Sequence, residues 1–175
     1  VGLMLITLLK HADRIKLACL AQLVNVIAPI MTENEGGIWK QTIYWPFLHA
    51  SLYGRGTALQ VLVDTPKHDT LEHEDVTDVE AVAVYKEETQ EVTVFAVNRN
   101  LEEDMEVVCD LRSFEGYCVK EHIVLESQDL KTVNQYQNER IKPRQVKRSA
   151  MDGGILTTVM GKASWNVIRL GRKEG

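Results

Sequence analysis

The sequence predicts a mainly β protein in which a short α/β region precedes an antiparallel module. Two features of the 175 residues predict it. Residues 1–54 combine long apolar runs with short polar turns, a pattern typical of buried helices and strands in an α/β fold. From residue 79 onward, apolar and polar residues alternate with period two between turns that contain glycine. Several short strands with no helix between them indicate an antiparallel sandwich or a barrel-like module.

The N-terminal region predicts a helix, a strand and a second helix. Residues 2–11 are apolar on nearly all sides, which favours a buried helix. Residues 15–23 carry no charge after Lys16, so we expect a strand that is buried on both faces. Residues 39–53 place apolar side chains at helical spacing, with Thr42 as a plausible N-cap and Gly54 where a left-handed C-cap would end the helix.

The β region predicts strands separated by glycine turns and loops. The turn between residues 79–85 and residues 91–98 indicates a hairpin. Residues 127–151 read as a long polar surface loop. The predicted strands are residues 57–63, 79–85, 91–98, 105–110, 117–126, 154–160 and 164–170.

A polar pair, Gln22 and Asn25, ends the apolar run of residues 15–29. Polar side chains at the C-terminal end of a buried strand lie where α/β barrels and open α/β sheets bind their ligands. Position alone leaves Gln22 open between a ligand-binding residue and a buried glutamine that is bonded to the backbone. For Asn25 we expect a structural role, with its side chain bonding the loop backbone.

A series of phrases resembles the α-L-arabinofuranosidases of glycoside hydrolase family 51. The phrase ACLAQLVNVIAPIMTE resembles the last strand of that family's barrel, and WKQTIYWPFLHASLYGRGTALQ resembles the helix that follows. The phrases that resemble the family's C-terminal β-domain follow in order: VEAVAVY, VTVFAVNR, VVCDLRSFEGY, EHIVLES, DGGIL and SWNVIRLG. No single phrase is a signature, but the ordered series covers nearly the whole chain.

The resemblance implies a fold in two parts. Residues 1–54 would be the last α-β-α piece of a (β/α)₈ catalytic barrel, and residues 55–175 a C-terminal jelly-roll-like antiparallel β-sandwich. The chain also lacks an initiator Met and begins inside an apolar segment, so we expect that residues are missing upstream.

The resemblance also implies an activity. The family hydrolyses terminal non-reducing α-L-arabinofuranosyl residues of arabinoxylan or arabinan oligosaccharides with retention, which requires two carboxyl groups. Both family glutamates lie on earlier barrel strands without a counterpart here, so no catalytic residue is assigned and the chain alone is expected to be inactive. Gln22 matches the family glutamine that hydrogen-bonds the arabinofuranose, and this favours the site interpretation. The resemblance further implies a homo-oligomeric parent, commonly a hexamer, with no metal or organic cofactor.

Composition and charge restrict the partners and the compartment. The formal net charge of −5 argues against a nucleic-acid partner, and the basic cluster at residues 140–148 reads as a solvated loop. The apolar start of nine residues is too short to span a bilayer, which takes about 20, and it lacks the flanks of a signal peptide.

The three cysteines, Cys19, Cys109 and Cys118, form neither a disulfide framework nor a zinc motif. Since each lies in an apolar setting, we expect buried thiols in a reducing, cytoplasmic environment.

Other polar and aromatic residues receive structural interpretations. Glu33 and Glu35 lie in a predicted loop tip and read as solvated charges. His68 and His73 lie in an acidic loop, and their spacing resembles a metal pair only loosely. Three aromatic residues could stack on sugars, but their helical spacing favours core packing; they are Trp39, Tyr44 and Trp45.

A non-catalytic carbohydrate-binding or interface module is the alternative function. Such modules expose aromatic side chains, whereas those of the β region mostly alternate inward with the strand period, which favours packing. Trp165 in particular is expected in the core of the sandwich. The aromatic residues concerned are Tyr85, Phe95, Phe114, Tyr117, Tyr136 and Trp165.

Overall fold

The computed structural model describes residues 1–173, which form two helices and thirteen strands. The helices are α1 (Gly2–Lys10) and α2 (Tyr44–Tyr53). The strands are β1 (Ile30–Thr32), β2 (Ile38–Lys40), β3 (Thr57–Leu59), β4 (Lys67–His68), β5 (Val76–Thr77), β6 (Val79–Lys86), β7 (Glu91–Asn98), β8 (Met105–Asp110), β9 (Tyr117–Leu125), β10 (Arg144–Gln145), β11 (Ser149–Asp152), β12 (Ile155–Met160) and β13 (Ser164–Arg172). Neither described helix is long and apolar enough to cross a membrane.

Two antiparallel sheets dominate the structure. The larger has six strands in the order β10-β9-β13-β7-β6-β3, and the smaller has three in the order β11-β12-β8. The predicted hairpin is confirmed as β6 and β7, with Val82 opposite Phe95. Strand β13 lies between β7 and β9, so Val167 faces Phe95 on one side and Ile123 on the other. The expectation of a mainly β protein with antiparallel sheets is therefore confirmed.

The two large sheets pack face to face around the main hydrophobic core. Each strand turns alternate side chains to this core, as the period-two pattern predicts. Leu156 and Met160 come from the smaller sheet, and Ile168 and Leu170 from the larger; all four are buried.

The opposite face of the six-stranded sheet is covered by the two helices. Ile6 of α1 is fully buried there against Val82, Phe95 and Val167, and Tyr53 of α2 packs at the margin. Both faces of the larger sheet are therefore removed from water, and residues 1–54 share a hydrophobic core with the strands that follow them.

A buried hydrogen bond joins α2 to the larger sheet. Trp165 Nε1 donates to His49 Nδ1 over 3.1 Å, and both side chains are 5% exposed. Burial lowers the pKa of His49 to about 4, against an opposite influence of Glu121. Trp165 is buried as predicted, but it faces the helices rather than the space between the sheets. The strand period fixes the alternation of side chains but not what covers each face.

A buried polar chain crosses the space between the two sheets. His122 Nε2 lies 3.1 Å from Asn166 Oδ1, and His122 Nδ1 lies 2.8 Å from Ser149 Oγ, which in turn contacts Thr158. Asn166 donates its side-chain N–H to Ser164 Oγ, so its oxygen is free to accept from His122. The imidazole is thus satisfied as a neutral ring, and burial lowers its pKa.

The predicted buried strand at residues 15–23 is wrong. These residues form no strand, and Leu17 is 81% exposed. A strand needs neighbours for its backbone groups, and in the described chain the nearest pairing is an isolated bridge between Ile30 and Val24, which lies just beyond the predicted strand. Positive φ angles at Gln22, Asn25 and Val26 further break the extended conformation.

Several smaller expectations are also corrected. Helix α2 begins at Tyr44 with Ile43 as N-cap, so Thr42 does not cap it, and Trp39 lies in β2. Gly54 ends the helix at a φ of −88° rather than in the left-handed region. Cys19 is exposed and the other two thiols are half-buried. The predicted loop at residues 127–151 contains β10 and most of β11.

Substitution of Ile6 tests how much the helix-covered face contributes to stability. The change Ile6→Ala removes a fully buried side chain, so the free energy of unfolding should fall by about 2–5 kcal/mol. Urea unfolding of the chain followed by circular dichroism measures it. The control is Met4→Ala on the same helix, where the side chain is 49% exposed and the change should be small. A loss for Ile6→Ala no larger than the control would contradict this account.

The chain should lose stability as the pH falls from about 6.5 towards 4. In the unfolded state His49 takes up a proton near its ordinary pKa of about 6.5, whereas the folded state holds that pKa at about 4. The unfolded state therefore binds more protons in this window, and acid favours unfolding.

Urea unfolding at a series of pH values checks this dependence. The variant His49→Gln should flatten the pH dependence, although His122 will still contribute because burial lowers its pKa too. The exposed His73 supplies the control, since His73→Gln should retain the full slope. An identical slope in His49→Gln and the unaltered chain would show that His49 is not responsible.

Candidate functional site

Gln22 lies on the exposed face of the irregular segment, residues 15–29. Its side chain is solvent-exposed and makes no hydrogen bond to the residues that the structure describes, and its backbone has a φ of 51°. The alternative of a buried glutamine satisfied by the backbone does not hold in this structure. An exposed amide offers a donor and an acceptor to a ligand.

Asn25 fixes the segment just after Gln22. Its Oδ1 accepts from the backbone N–H of Thr32 over 2.7 Å, and its Nδ2 lies 2.8 Å from Thr32 Oγ1. The backbone N–H of Asn25 also donates to the carbonyl of Ile30 over 2.8 Å. Its predicted role as a structural turn residue is confirmed, and these bonds tie the Gln22 segment to β1.

Strands β1 and β2 form a short hairpin beside the segment. Met31 pairs with Trp39, and the turn is closed by the N–H of Glu33 donating to the carbonyl of Gly37 over 2.9 Å. Glu33 and Glu35 are exposed at the tip, as predicted for solvated charges.

Residues 129–143 from the β region reach across to this hairpin; we call them the insert. Its Asn134 is 1% exposed and donates to the carbonyl of Lys40 over 2.9 Å, while Glu139 accepts from the backbone N–H of Lys40 over 2.6 Å. Tyr136 packs against Trp39, with ring centroids 6.2 Å apart. Sequence reasoning missed this contact, because nothing local in a polar stretch indicates what it touches.

Most aromatic residues of the β region are packed rather than displayed. Phe95 and Trp165 lie under the helices, and Tyr85, Phe114 and Tyr117 pack at the margin of the core between the sheets. Trp45 packs against the helix-covered face, as expected for core packing. Tyr136, at 40% exposure, is the most exposed of the described Phe, Tyr and Trp side chains.

Two carboxylates, those of Glu91 and Glu121, converge on the guanidinium of Arg169. Arg169 Nη1 donates to Glu121 over 3.0 Å and Nη2 to Glu91 over 3.2 Å, and the guanidinium carbon lies 4.5 Å from the centre of the Tyr53 ring. Burial raises the pKa of Glu91, but Arg169 and Lys120 more than offset this, so the pKa is lowered overall. A carboxyl held ionised in this way is a poor proton donor.

His68 and His73, the histidines of the acidic loop, belong to no cluster of metal-binding side chains among the described residues. His68 Nδ1 lies 2.5 Å from Asp78 Oδ1, and Asp78 is almost fully buried. Over residues 1–173, no group of three or more side chains of the metal-binding types is found together.

Comparison with known proteins shows which family the chain resembles. The family model described as the α-L-arabinofuranosidase C-terminal domain matches residues 1–164. A curated relative, an intracellular exo-α-(1→5)-L-arabinofuranosidase of Acetivibrio thermocellus, is 60% identical over 173 residues, which are 98% of this chain and 34% of that protein. A protein of the same description from Bacillus subtilis is 50% identical over 174 residues, covering 99% of this chain and 35% of the relative.

Solved structures agree with this result. The family 51 α-L-arabinofuranosidase of Bifidobacterium longum superposes with a TM-score of 0.89 at 34% identity, over 96% of this chain and 33% of that one. The chain thus spans about a third of the length of the curated relatives it matches. It belongs to the α-L-arabinofuranosidases of glycoside hydrolase family 51, and it matches the C-terminal part of their sequence.

Proposed function

We propose that this chain is the C-terminal portion of an intracellular enzyme that releases terminal non-reducing α-L-arabinofuranosyl residues from arabinan or arabinoxylan oligosaccharides. The relatives, which are named intracellular exo-α-(1→5)-L-arabinofuranosidases, support the substrate class and the compartment. One observation supports a substrate-binding role for this chain. Gln22 is exposed to solvent on a segment that the hydrogen bond between Asn25 and Thr32 holds against the β1–β2 hairpin.

Residues 1–54 belong, in this proposal, to a (β/α)₈ catalytic barrel, and residues 55–175 to a jelly-roll-like β-sandwich. The exposed apolar side chains of residues 15–29 support the first assignment. Leu17 is 81% exposed and Val26 is 80% exposed, and apolar groups gathered on one short segment commonly mark a surface that another structure covers. The rest of the barrel would provide that cover, since the chain spans only about a third of its relatives.

The proposed mechanism is a double displacement with retention of configuration. One carboxylate attacks the anomeric carbon while a carboxylic acid protonates the departing oxygen, and water then hydrolyses the glycosyl–enzyme intermediate with the second residue acting as a base. Both catalytic carboxyls would lie upstream of this chain. Two pairs of carboxylates in this chain support this, because Glu91 and Glu121 are ion-paired with Arg169, and Glu33 and Glu35 are solvated.

Gln22 would hold the arabinofuranose beside those upstream groups. Its Nε2 can donate to a sugar oxygen and its Oε1 can accept from a sugar hydroxyl. Because the amide is neutral, it adds no charge that would move the pKa of either catalytic carboxyl. The proposal includes self-association of the parent as a hexamer and requires no metal or organic cofactor.

The first experiment assays the 175-residue chain beside the full-length protein on an aryl α-L-arabinofuranoside. The full-length protein should hydrolyse it, and the 175-residue chain should not, because the catalytic carboxyls would be absent. Activity in the chain alone would return Glu33 and Glu35 to consideration as catalytic groups. A full-length protein that hydrolyses no arabinofuranoside would refute the proposed function.

The variant Gln22→Ala of the full-length protein tests the role of Gln22 in substrate binding. Loss of hydrogen bonds that strengthen in the transition state should lower kcat/KM by about tenfold to a hundredfold. The melting temperature should hardly change, because Gln22 makes no hydrogen bond to the described residues. Gln60→Ala, at an exposed glutamine outside the segment, is the matched control. A lowered melting temperature with an unchanged rate would assign Gln22 a structural role.

A further inference from the structure

The exposed apolar side chains of this chain are not scattered evenly. Many of them lie on residues 15–38, and others lie on the insert that packs against that region. The large apolar side chains exposed in these two places are Leu17, Leu23, Val24, Val26, Ile27, Ile38, Leu130, Val133 and Tyr136. The insert and the segment that bears Gln22 both border the β1–β2 hairpin, the insert through Lys40 and the Gln22 segment through the bridge between Val24 and Ile30.

The insert is fixed on the hairpin by buried polar contacts. Lys40 turns its N–H and its carbonyl away from β1, and the insert satisfies both, through Glu139 and Asn134. Asn134 also bonds both backbone groups of Ile141, donating to the carbonyl and accepting from the N–H over 2.8 Å each. A buried amide with all these partners holds the insert in one place.

The order of the strands gives the distance across this surface. The segment after Gln22 bridges to Ile30 of β1, β1 pairs with β2, and the insert bonds the outer edge of β2 at Lys40. Neighbouring strands lie about 4.8 Å apart, so about 10 Å separate the Gln22 segment from β2. The insert lies beyond the outer edge of β2, so an oligosaccharide that extends from Gln22 across the hairpin would meet it.

Tyr136 is the side chain of the insert best placed to meet such a ligand. Its ring lies over the buried Gly37, where an added methyl group would stand only 2.9 to 3.1 Å from ring carbons. Trp39 supports the ring from another side, and its own indole nitrogen is buried. The ring is thus held rigidly, yet 40% of the residue remains exposed.

We propose that Tyr136 binds a sugar of an arabinofuranosyl oligosaccharide that lies on the far side of the scissile bond from the arabinofuranose held by Gln22. This inference rests on the proposed function. The apolar face of a sugar ring stacks on an aromatic ring, and a rigid ring loses little entropy when it does so. Tyr136 is then a specificity-determining residue that the β-sandwich contributes to a site in the barrel.

Two substrates separate this role from a structural one. The full-length protein and its Tyr136→Ala variant are assayed on α-(1→5)-linked arabinotriose and on methyl α-L-arabinofuranoside, which has no second sugar. The variant should lose about tenfold in kcat/KM on the trisaccharide and change little on the methyl glycoside. Tyr136→Phe retains the ring and should retain the rate on both substrates.

A second variant moves the ring without removing it. In Gly37→Ala the added methyl group must displace the Tyr136 ring. The variant should therefore again lose kcat/KM on the trisaccharide and change little on the methyl glycoside. Equal losses on both substrates in Tyr136→Ala, or a rate on the trisaccharide that does not change, would overturn the proposal. The first of these results would mean that Tyr136 supports the fold of the site. An unaltered protein that cleaves neither substrate would instead refute the proposed function itself.

Discussion

Burial of the six-stranded sheet on both faces is the constraint on which the rest of the structure depends. One face packs against the smaller sheet and the other against α1 and α2. Each fully buried Val or Phe stabilises the folded state by about 1.5–3 kcal/mol relative to an exposed one. Loss of either the smaller sheet or the helices would therefore strongly destabilise the fold. Strand β6 is accordingly apolar at almost every position (VEAVAVY), so its two-residue period separates two buried faces rather than a buried face from a solvated one.

The elements that sequence reasoning located well are those whose signal is local. Strands β7 and β8 have the predicted bounds, and β6, β12 and β13 differ by one or two residues, because period-two alternation between turn residues needs no knowledge of the partner. The predicted strand at residues 15–23 failed for the opposite reason. An apolar run shows that a segment requires cover, but the backbone partners that make it a strand must come from elsewhere.

The residues of the candidate site also fall into those with a local sequence signal and those whose position depends on distant residues. Gln22 and Asn25 could be singled out, because two amides at the end of an apolar run are conspicuous, and the clasp of Asn25 on Thr32 spans only seven residues. Tyr136 could not, because its position depends on Gly37 and Trp39, nearly a hundred residues earlier. The side of the sheet that Trp165 occupies was equally beyond a pattern that describes alternation only.

Strand β13 lies in the middle of the larger sheet, although it follows every other strand along the chain. On the ribosome, β7 and β9 would therefore emerge without the strand that lies between them, and Ile6 of α1 would have Val82 and Phe95 as neighbours before Trp165 and Val167 are added. Pairings so distant in sequence close slowly. The nascent chain must therefore keep both helices and two unpaired strand edges from associating with other chains until β13 has been synthesised.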